Sequence, residues 1–148
     1  MTDEPQRLEE LDPRESMRLL SSVPLGRIVF TARALPAIRP ASHLVDGDHV
    51  IVRADGGVAI TSAPRAETGT VVAYQADTIN PGGVVGWSVT VVGVAHQVTD
   101  PAAADVFRRA LRHWADDTND QIVSIRPGMV TGFRLLGPSL TSPRWAAV

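Results

Sequence analysis

The chain has 148 residues and a formal net charge of -2, and it contains neither cysteine nor lysine. Without cysteine there can be no disulfide, thiolate metal site or cysteine nucleophile, and without lysine there can be no Schiff base, so arginine must supply any side-chain cation for a phosphate. There is no basic tract, no apolar run of about 20 residues and no signal-peptide core, so we expect no nucleic-acid partner, no membrane span and a cytoplasmic protein.

The N-terminal part predicts a loose segment followed by a helix. Residues 1–11 are polar and charged, and we expect them to be loose. A helix should begin at Asp12, because this capping acid precedes Pro13 and is followed three residues later by Glu15. We therefore place the start of the folded domain, 12–137, at this helix, and treat 138–148 as a C-terminal tail.

Short β-branched runs separated by turn residues predict a mainly β domain. The predicted strands are 26–31, 35–45, 49–54, 68–78, 86–99, 122–126 and 129–136, with a short segment of unassigned type at 58–63. In the second of these, Pro36 and Pro40 each remove a hydrogen-bond donor, which places that strand at an edge or a bulge. Residues 46–48 are a turn that makes a hairpin with 49–54. The last two strands should meet at Pro127 and Gly128.

The longest strand signal is 86–99, around which the other strands should be arranged. Alternation divides it into two faces: Trp87, Val89, Val91, Gly93 and Ala95 on one, and Ser88, Thr90, Val92, Val94 and His96 on the other. Neither face is strongly polar, so we expect a central strand covered on both sides. At about 13 residues it exceeds the usual strand length, and Gly93 is the expected bend.

A second helix should follow Asp100 and Pro101, which repeat the cap-plus-proline start. Its predicted apolar stripe is Ala103, Val106, Phe107, Ala110, Leu111 and Trp114, opposite a polar face of Asp105, Arg108, Arg109, Arg112 and His113. Together the elements predict a mainly β fold, a β-barrel with helices.

No enzyme motif stands out in the sequence. A dinucleotide fingerprint, a P-loop and a zinc-protease motif are all missing, and the histidines are scattered at positions 43, 49, 96 and 113 without metal-ligand spacing. Carboxylates cluster only in turns and helix caps, which does not indicate an acid–base pair. We therefore assign no metal site, and the catalytic residues are unknown.

One constellation could bind an anion, in the hairpin that spans 37–57. Arg39 and Arg53 lie near the ends of neighbouring predicted strands, with Ser42, Gly56 and Gly57 close in sequence. Arginine beside a glycine-rich turn can bind an anion, because backbone amides in such turns point outward together. Arginines at strand ends are also common on protein surfaces. If the site exists, alanine at either arginine should weaken binding of a phosphate-bearing ligand.

The order of these elements resembles the pyridoxamine 5′-phosphate oxidase-related family of flavin-binding split barrels. The pieces that carry the resemblance, over residues 12–136, are Gly26-Arg27, Pro40, Arg53, Gly86-Trp87-Ser88-Val89, Gly93 and Thr131-Gly132. The most similar subgroup is the small FMN-binding one that is common in actinobacteria. The resemblance implies a six-stranded antiparallel split β-barrel of FMN-binding type that forms a homodimer, with a flavin in each interface cleft.

The resemblance also implies which residues contact the cofactor. Arg39, Pro40 and Ser42 would flank the flavin, Arg53 would reach its phosphate, and Trp87 and Ser88 would contact it from the long strand. The phosphate turn would include Ala54, Gly57 and Val58. Here the chain departs from the family, since Ala54 stands where threonine is usual, and Val58 and Ala59 stand where a hydroxyl and a lysine are usual.

Two functions follow from this resemblance. The first is an oxidoreductase that uses FMN, or a deazaflavin instead, to transfer hydride to an unknown small-molecule substrate. The alternative is a non-catalytic protein that binds a flavin, haem or another planar ligand, with a degenerate phosphate site or no flavin at all. Oxidation of pyridoxamine 5′-phosphate itself is not expected, because the tail shows no arrangement for a second phosphate.

Overall fold

Seven strands and two helices form the part of the chain that the computed structural model describes, residues 7–54, 60, 69–80, 85–111 and 120–137. In chain order they are β1 (Arg7–Leu11), α1 (Pro13–Ser21), β2 (Leu25–Ala32), β3 (Leu35–Asp46), β4 (His49–Ala54), β5 (Thr70–Asp77), β6 (Gly86–Gln97), α2 (Pro101–Ala110) and β7 (Gln121–Leu136). Every strand pair is antiparallel.

Six of the strands close into a barrel. The sheet order is β1-β7-β4-β3-β2-β5-β6, and β6 also pairs with β7, which joins the two ends of the sheet. The ring β7-β4-β3-β2-β5-β6 confirms the predicted six-stranded split barrel. β1 is a seventh strand, which lies along the C-terminal part of β7.

Residues 7–11 differ from the predicted loose segment, because they form β1. All five pair in register with β7, from Arg7 opposite Leu136 to Leu11 opposite Gly132. Only Leu11 is buried, so the strand carries almost no apolar pattern, and backbone hydrogen bonds to β7 rather than side-chain burial hold it. Residues 1–6 and the predicted tail, 138–148, lie outside the described residues.

The two predicted C-terminal strands are a single strand, β7, which runs through Pro127 and Gly128. The pairing with β6 shifts register between Val92 and Gly93, so that Gly93 faces Pro127 and Val92 faces Met129. Gly128 is thus the extra residue of a bulge, which tolerates the missing proline donor. Gly93, the predicted bend, lies at this bulge, and a side chain there would collide with the backbone carbonyl of Arg126.

The barrel interior is the main core, and β6 supplies one wall of it. Trp87, Val89, Val91 and Ala95 are buried on the inner face, while the outer face of β6 is only half-buried over most of its length. The prediction that β6 is covered on both faces therefore does not hold within the single chain. No element in the described part of the chain packs over the outer face of β6.

The first helix begins as predicted. The Asp12 side chain accepts a hydrogen bond from the Glu15 backbone N–H at 2.7 Å, and proline follows the cap. Leu19 and Leu20 pack against the core, and Ser16 is fully buried with its hydroxyl donating to the Asp12 carbonyl at 2.8 Å.

The second helix is shorter than its predicted stripe, and its buried side is rotated. α2 ends at Ala110, and Ala104 and Leu111 are the buried positions, with Phe107 half-buried, whereas Val106 is exposed. The helix packs its Phe107 and Leu111 side on the outside of the barrel, against Ile51 and Ile122 among others. Trp114, Arg112 and His113 lie outside the described residues, as does most of the short segment at 58–63, of which Ile60 is buried.

Within the described ranges, neither helix is long and apolar enough to cross a bilayer. The same part of the chain contains no group of three or more histidine, aspartate or glutamate side chains that could hold a metal ion.

A buried histidine links α1 to the barrel. His43 Nε2 lies 2.8 Å from the Leu20 carbonyl and its Nδ1 lies 2.5 Å from the Tyr74 hydroxyl. Because a carbonyl can only accept, Nε2 carries the proton and Nδ1 accepts from Tyr74. Burial lowers the pKa of His43, against the opposing effect of the Leu20 hydrogen bond, and burial raises the pKa of the Tyr74 phenol.

We predict that His43 makes the fold sensitive to acid. Its folded-state pKa lies below the unfolded value of 6.5, so the unfolded chain binds more protons and the stability present above pH 6.5 is lost as the pH falls through the folded pKa. Urea unfolding of wild type and His43→Gln at pH 7.5 and 5.5 should show a smaller pH-dependent loss in the variant.

The matched control is His49→Gln, which changes a half-exposed histidine beside Asp48. This control should lose the same stability as wild type between the two pH values. Equal losses in His43→Gln and wild type would contradict the assignment of acid sensitivity to His43.

Candidate functional site

A cleft of about 470 Å³ opens on the outer face of the barrel where β2, β3 and β5 meet. Its lining residues are Leu25, Gly26, Arg27, Ile38, Pro40 and Asp77. Arg27 and Pro40 are register partners on β2 and β3, so both side chains leave the same face of the sheet. Gly26 lets the strands approach, because a Cβ there would lie 2.6 Å from the Gln75 carbonyl oxygen.

A polar network forms one side of the cleft. Arg27 Nη1 donates to Gln75 Oε1 at 2.9 Å and to Asp77 Oδ2 at 3.3 Å. The Gln75 amide donates in turn to Asp77 Oδ2 at 2.8 Å and to the Ser88 hydroxyl at 3.1 Å. The result is a fixed guanidinium at the cleft, about half exposed, beside the apolar side chains of Leu25, Ile38 and Pro40.

The outer face around the cleft is organised in rows that cross the strands. One row is apolar throughout and consists of Ile38, Val29, Ala73, Val92 and Met129, each opposite the next. The adjacent row is mostly polar and consists of Pro40, Arg27, Gln75, Thr90 and Thr131. We call the first set the apolar row. The cleft lies where one end of the apolar row meets the polar network.

A second charged cluster lies between the barrel wall and α2. Arg53 Nε is 2.6 Å from Asp120 Oδ2, a charge contact rather than an aligned hydrogen bond. Arg53 Nη1 donates to the backbone carbonyls of Arg108 at 3.1 Å and Leu111 at 3.4 Å. Arg108 Nε donates to the other oxygen of Asp120 at 3.3 Å. The Arg53 and Asp120 side chains are only 10% and 6% exposed.

The structure separates the two arginines of the predicted anion site. Ser42 is directly opposite Arg53, so these two share the outer face. Arg39 is three residues from Ser42 along the same strand, and alternation sends its side chain to the other face, where it is exposed and Nη1 donates to the Ile38 carbonyl at 2.8 Å. Arg39 and Arg53 therefore do not converge on one ligand.

The remaining predicted cofactor contacts are divided between the two faces. Pro40 lines the cleft, and Ser88 joins the polar network beside it. Trp87 and Ala54 belong to the interior core cluster, and Trp87 must point away from Ser88 because the two are adjacent on one strand. Gly57 and Val58 lie outside the described residues.

Sequence reasoning missed five residues of these two clusters as site residues, namely Arg27, Gln75, Asp77, Arg108 and Asp120. Gln75 and Asp77 alternate on one face of β5, and that pattern could have identified them together with Arg27 as one outer surface. Asp120 carried no local signal, because it lies 67 positions after Arg53 in the sequence and contacts it only in the folded chain.

Comparison with known proteins identifies the family of this chain. The sequence profile of the pyridoxamine 5′-phosphate oxidase family matches residues 12–134. The chain belongs to this family. It is 46% identical over 134 residues to Rv0080, an uncharacterised protein of Mycobacterium tuberculosis, which covers 89% of this chain and 88% of the relative.

Two solved structures are similar to the barrel. An FAD-binding protein from Mycobacterium smegmatis is 31% identical, with a TM-score of 0.58 over 85% of this chain and 98% of that one. A candidate pyridoxamine 5′-phosphate oxidase from Corynebacterium glutamicum is 26% identical, with a TM-score of 0.67 over 93% of this chain and 99% of that one. The family and the split-barrel fold implied by the sequence are thereby confirmed.

We predict that the Arg53–Asp120 contact stabilises the packing of α2 on the barrel. Breaking a buried ion pair by removing one partner typically costs about 3–5 kcal/mol, because it leaves an uncompensated buried charge. Asp120→Asn should therefore lower the free energy of unfolding by about 3 kcal/mol in urea titrations.

Asp105→Asn is the matched control. Asp105 lies 3.9 Å from Arg108 on the exposed side of α2 and does not touch Arg53, so its loss should change stability by less than about 1 kcal/mol. If the two variants lowered the free energy of unfolding by similar amounts, the buried Arg53–Asp120 pair would contribute no more than an exposed pair.

Proposed function

We propose that this chain is a flavin-binding oxidoreductase, with the flavin ring in the cleft of β2, β3 and β5 and with FMN or a deazaflavin as the cofactor. The single observation that carries the proposal is the cleft itself, in which apolar side chains face a fixed guanidinium within the family's barrel. The FAD-binding relative at 31% identity supports a flavin over other ligands.

The residues at the cleft suit a flavin ring. Such a ring is flat, with an apolar dimethylbenzene edge and a polar pyrimidine edge. Leu25, Ile38 and Pro40 can cover apolar ring surface, while Arg27 can donate to the polar edge. A bound flavin would supply the hydride chemistry, and the chain would orient the ring and exclude water.

The residues predicted to bind the cofactor phosphate are less suitable for that role. Arg53 is largely buried and in contact with Asp120, and Ala54 faces the interior core. Neither arrangement offers a phosphate the hydroxyl and cation that the resemblance implies. Binding should therefore depend on the ring more than on the phosphate.

A second candidate is a non-catalytic protein that binds a flavin, haem or another planar ligand. It is favoured by Asp77, the one carboxylate among the described residues that line the cleft. Asp77 already accepts from both Arg27 and Gln75, so it is poorly suited to remove a proton from a substrate.

The cofactor proposal is tested by absorption spectra of the purified protein and by fluorescence titration with FMN, FAD and the deazaflavin. We expect Arg27→Gln to weaken the flavin by about tenfold, since one charge-assisted hydrogen bond is worth about 1.5–3 kcal/mol. Arg109→Gln changes an exposed arginine on α2 and should leave the affinity unchanged.

A protein that binds none of the three ligands would contradict the flavin proposal. Tight flavin binding without turnover of any tested hydride donor or acceptor would favour the non-catalytic candidate. Equal affinity in wild type and Arg27→Gln would show that the ring lies elsewhere.

We also propose that the active form is a homodimer that covers the apolar row. The row ends at Ile38 and Met129, which are 57% and 63% exposed, and Val71 beside it is 65% exposed. Exposed apolar surface of this extent, continuous over five strands, commonly marks an interface. The row adjoins the cleft through Ile38, so a partner on it would also cover the cleft and keep water out.

Charged substitutions on or beside the apolar row should produce monomers. Val71→Asp and Met129→Asp each place a charge on exposed apolar surface, so we expect folded protein of half the mass by light scattering. Val106→Asp makes the same change at a position on α2 that is 58% exposed and should remain dimeric. Wild-type protein that is monomeric at high micromolar concentration would contradict the proposal.

A further inference from the structure

The Arg53 guanidinium is enclosed by groups from this chain. Its Nε contacts the Asp120 carboxylate, and its Nη1 donates to two carbonyls at the C-terminal end of α2. That end of a helix carries a partial negative charge, which favours a cation and opposes an anion. Among the described residues, the groups that contact the Arg53 guanidinium are therefore negative or partly negative before any ligand binds.

Two guanidinium groups converge on one buried carboxylate. Asp120 Oδ2 contacts Arg53, and Asp120 Oδ1 accepts from Arg108 Nε at 3.3 Å. Phosphate groups in proteins are held in a similar way, with separate oxygens accepting from separate arginines. The Asp120 carboxylate thus occupies the position that an anionic ligand of these two arginines would take.

We propose that Asp120 is an internal substitute for a cofactor phosphate at Arg53, and that it excludes phosphate from this position. The barrel would then recognise a flavin by its ring and not by a phosphate held at Arg53. This inference deepens the proposed function and rests on it for the flavin comparison, but the occupied anion site is a property of the chain alone.

Repulsion from the Asp120 carboxylate explains why a phosphate would not simply join the cluster, although Arg108 leaves the cluster with one positive charge in excess. Arg53 and Asp120 neutralise each other at sites that are 10% and 6% exposed. A phosphate dianion beside them would be a buried charge close to a like charge, which proteins avoid. Arg53 could hold a phosphate only if Asp120 left, and Asp120 is followed directly by β7.

The decisive experiment compares FMN with riboflavin, which has the same ring and no phosphate. Dissociation constants are measured by fluorescence titration for wild type and for Asp120→Ser, a smaller side chain without charge. For wild type we expect FMN and riboflavin to bind within tenfold of each other. For Asp120→Ser we expect FMN to bind at least tenfold more tightly than it binds wild type, with riboflavin unchanged.

Asp105→Ser is the matched control, because it removes one carboxylate near Arg108 without touching Arg53. Its ratio of FMN to riboflavin affinity should equal that of wild type. If Asp120→Ser does not fold, Asp120→Asn keeps the side-chain shape and is measured in its place, and the wild-type ratio stands as a test without any variant.

A second measurement needs no flavin. The midpoint of thermal unfolding is compared in sodium phosphate and in sodium chloride at equal ionic strength. Wild type should show no phosphate-specific rise, Asp120→Ser should show one, and the double variant Arg53→Gln with Asp120→Ser should lose it. If no flavin binds to any variant but this pattern appears, the proposed function fails and the occupied anion site stands.

Two results would overturn the inference. One is a wild-type protein that prefers FMN to riboflavin by more than a hundredfold and loses that preference in Arg53→Gln, since Arg53 would then hold the phosphate. The other is an Asp120→Ser protein that folds but gains neither FMN affinity nor phosphate-dependent stability.

Discussion

The pairing of β6 with β7 is the constraint on which the rest of the structure depends. It joins the two ends of an open sheet, so the inner faces of six strands enclose one core and the alternation of every strand becomes a division between interior and exterior. The bulge at Gly93 and Gly128 lies at this seam, in the pairing of β6 with β7. Without closure, the buried valines of β6 would have no opposite wall.

Closure also determines where function can lie. The described side chains of the inner face, including Trp87 and Tyr74, pack into one core, whereas the cleft opens on the outer face. There, the register brings Arg27, Gln75 and Asp77 into one network beside an apolar row that spans five strands. The cleft and the apolar row are therefore neighbours on one surface, which links cofactor binding to association of two chains in the proposed function.

The cluster of Arg53, Asp120 and Arg108 shows how the tertiary environment of a residue changes the role that its sequence context indicates. An arginine at a strand end beside a glycine-rich turn suggests an anion ligand, and the family resemblance indicates the same role. In the folded chain that arginine is neutralised by a carboxylate and fastens α2 to the barrel. In our proposal, Asp120 rather than Arg53 itself decides whether this arginine binds a cofactor phosphate.

The sequence alone determined the positions of β2 to β6, the capped start of α1 and the family, because these depend on local backbone preferences and on the order of short patterns. It did not reveal β1, whose charged residues are held by backbone pairing to β7 and so leave no apolar period. Nor could the sequence predict that Arg39 and Arg53 lie on opposite faces of the sheet, or that Asp120 contacts Arg53. Which side of a sheet a residue occupies, and which distant charge meets it, depend on register and closure, and only the tertiary structure decides them.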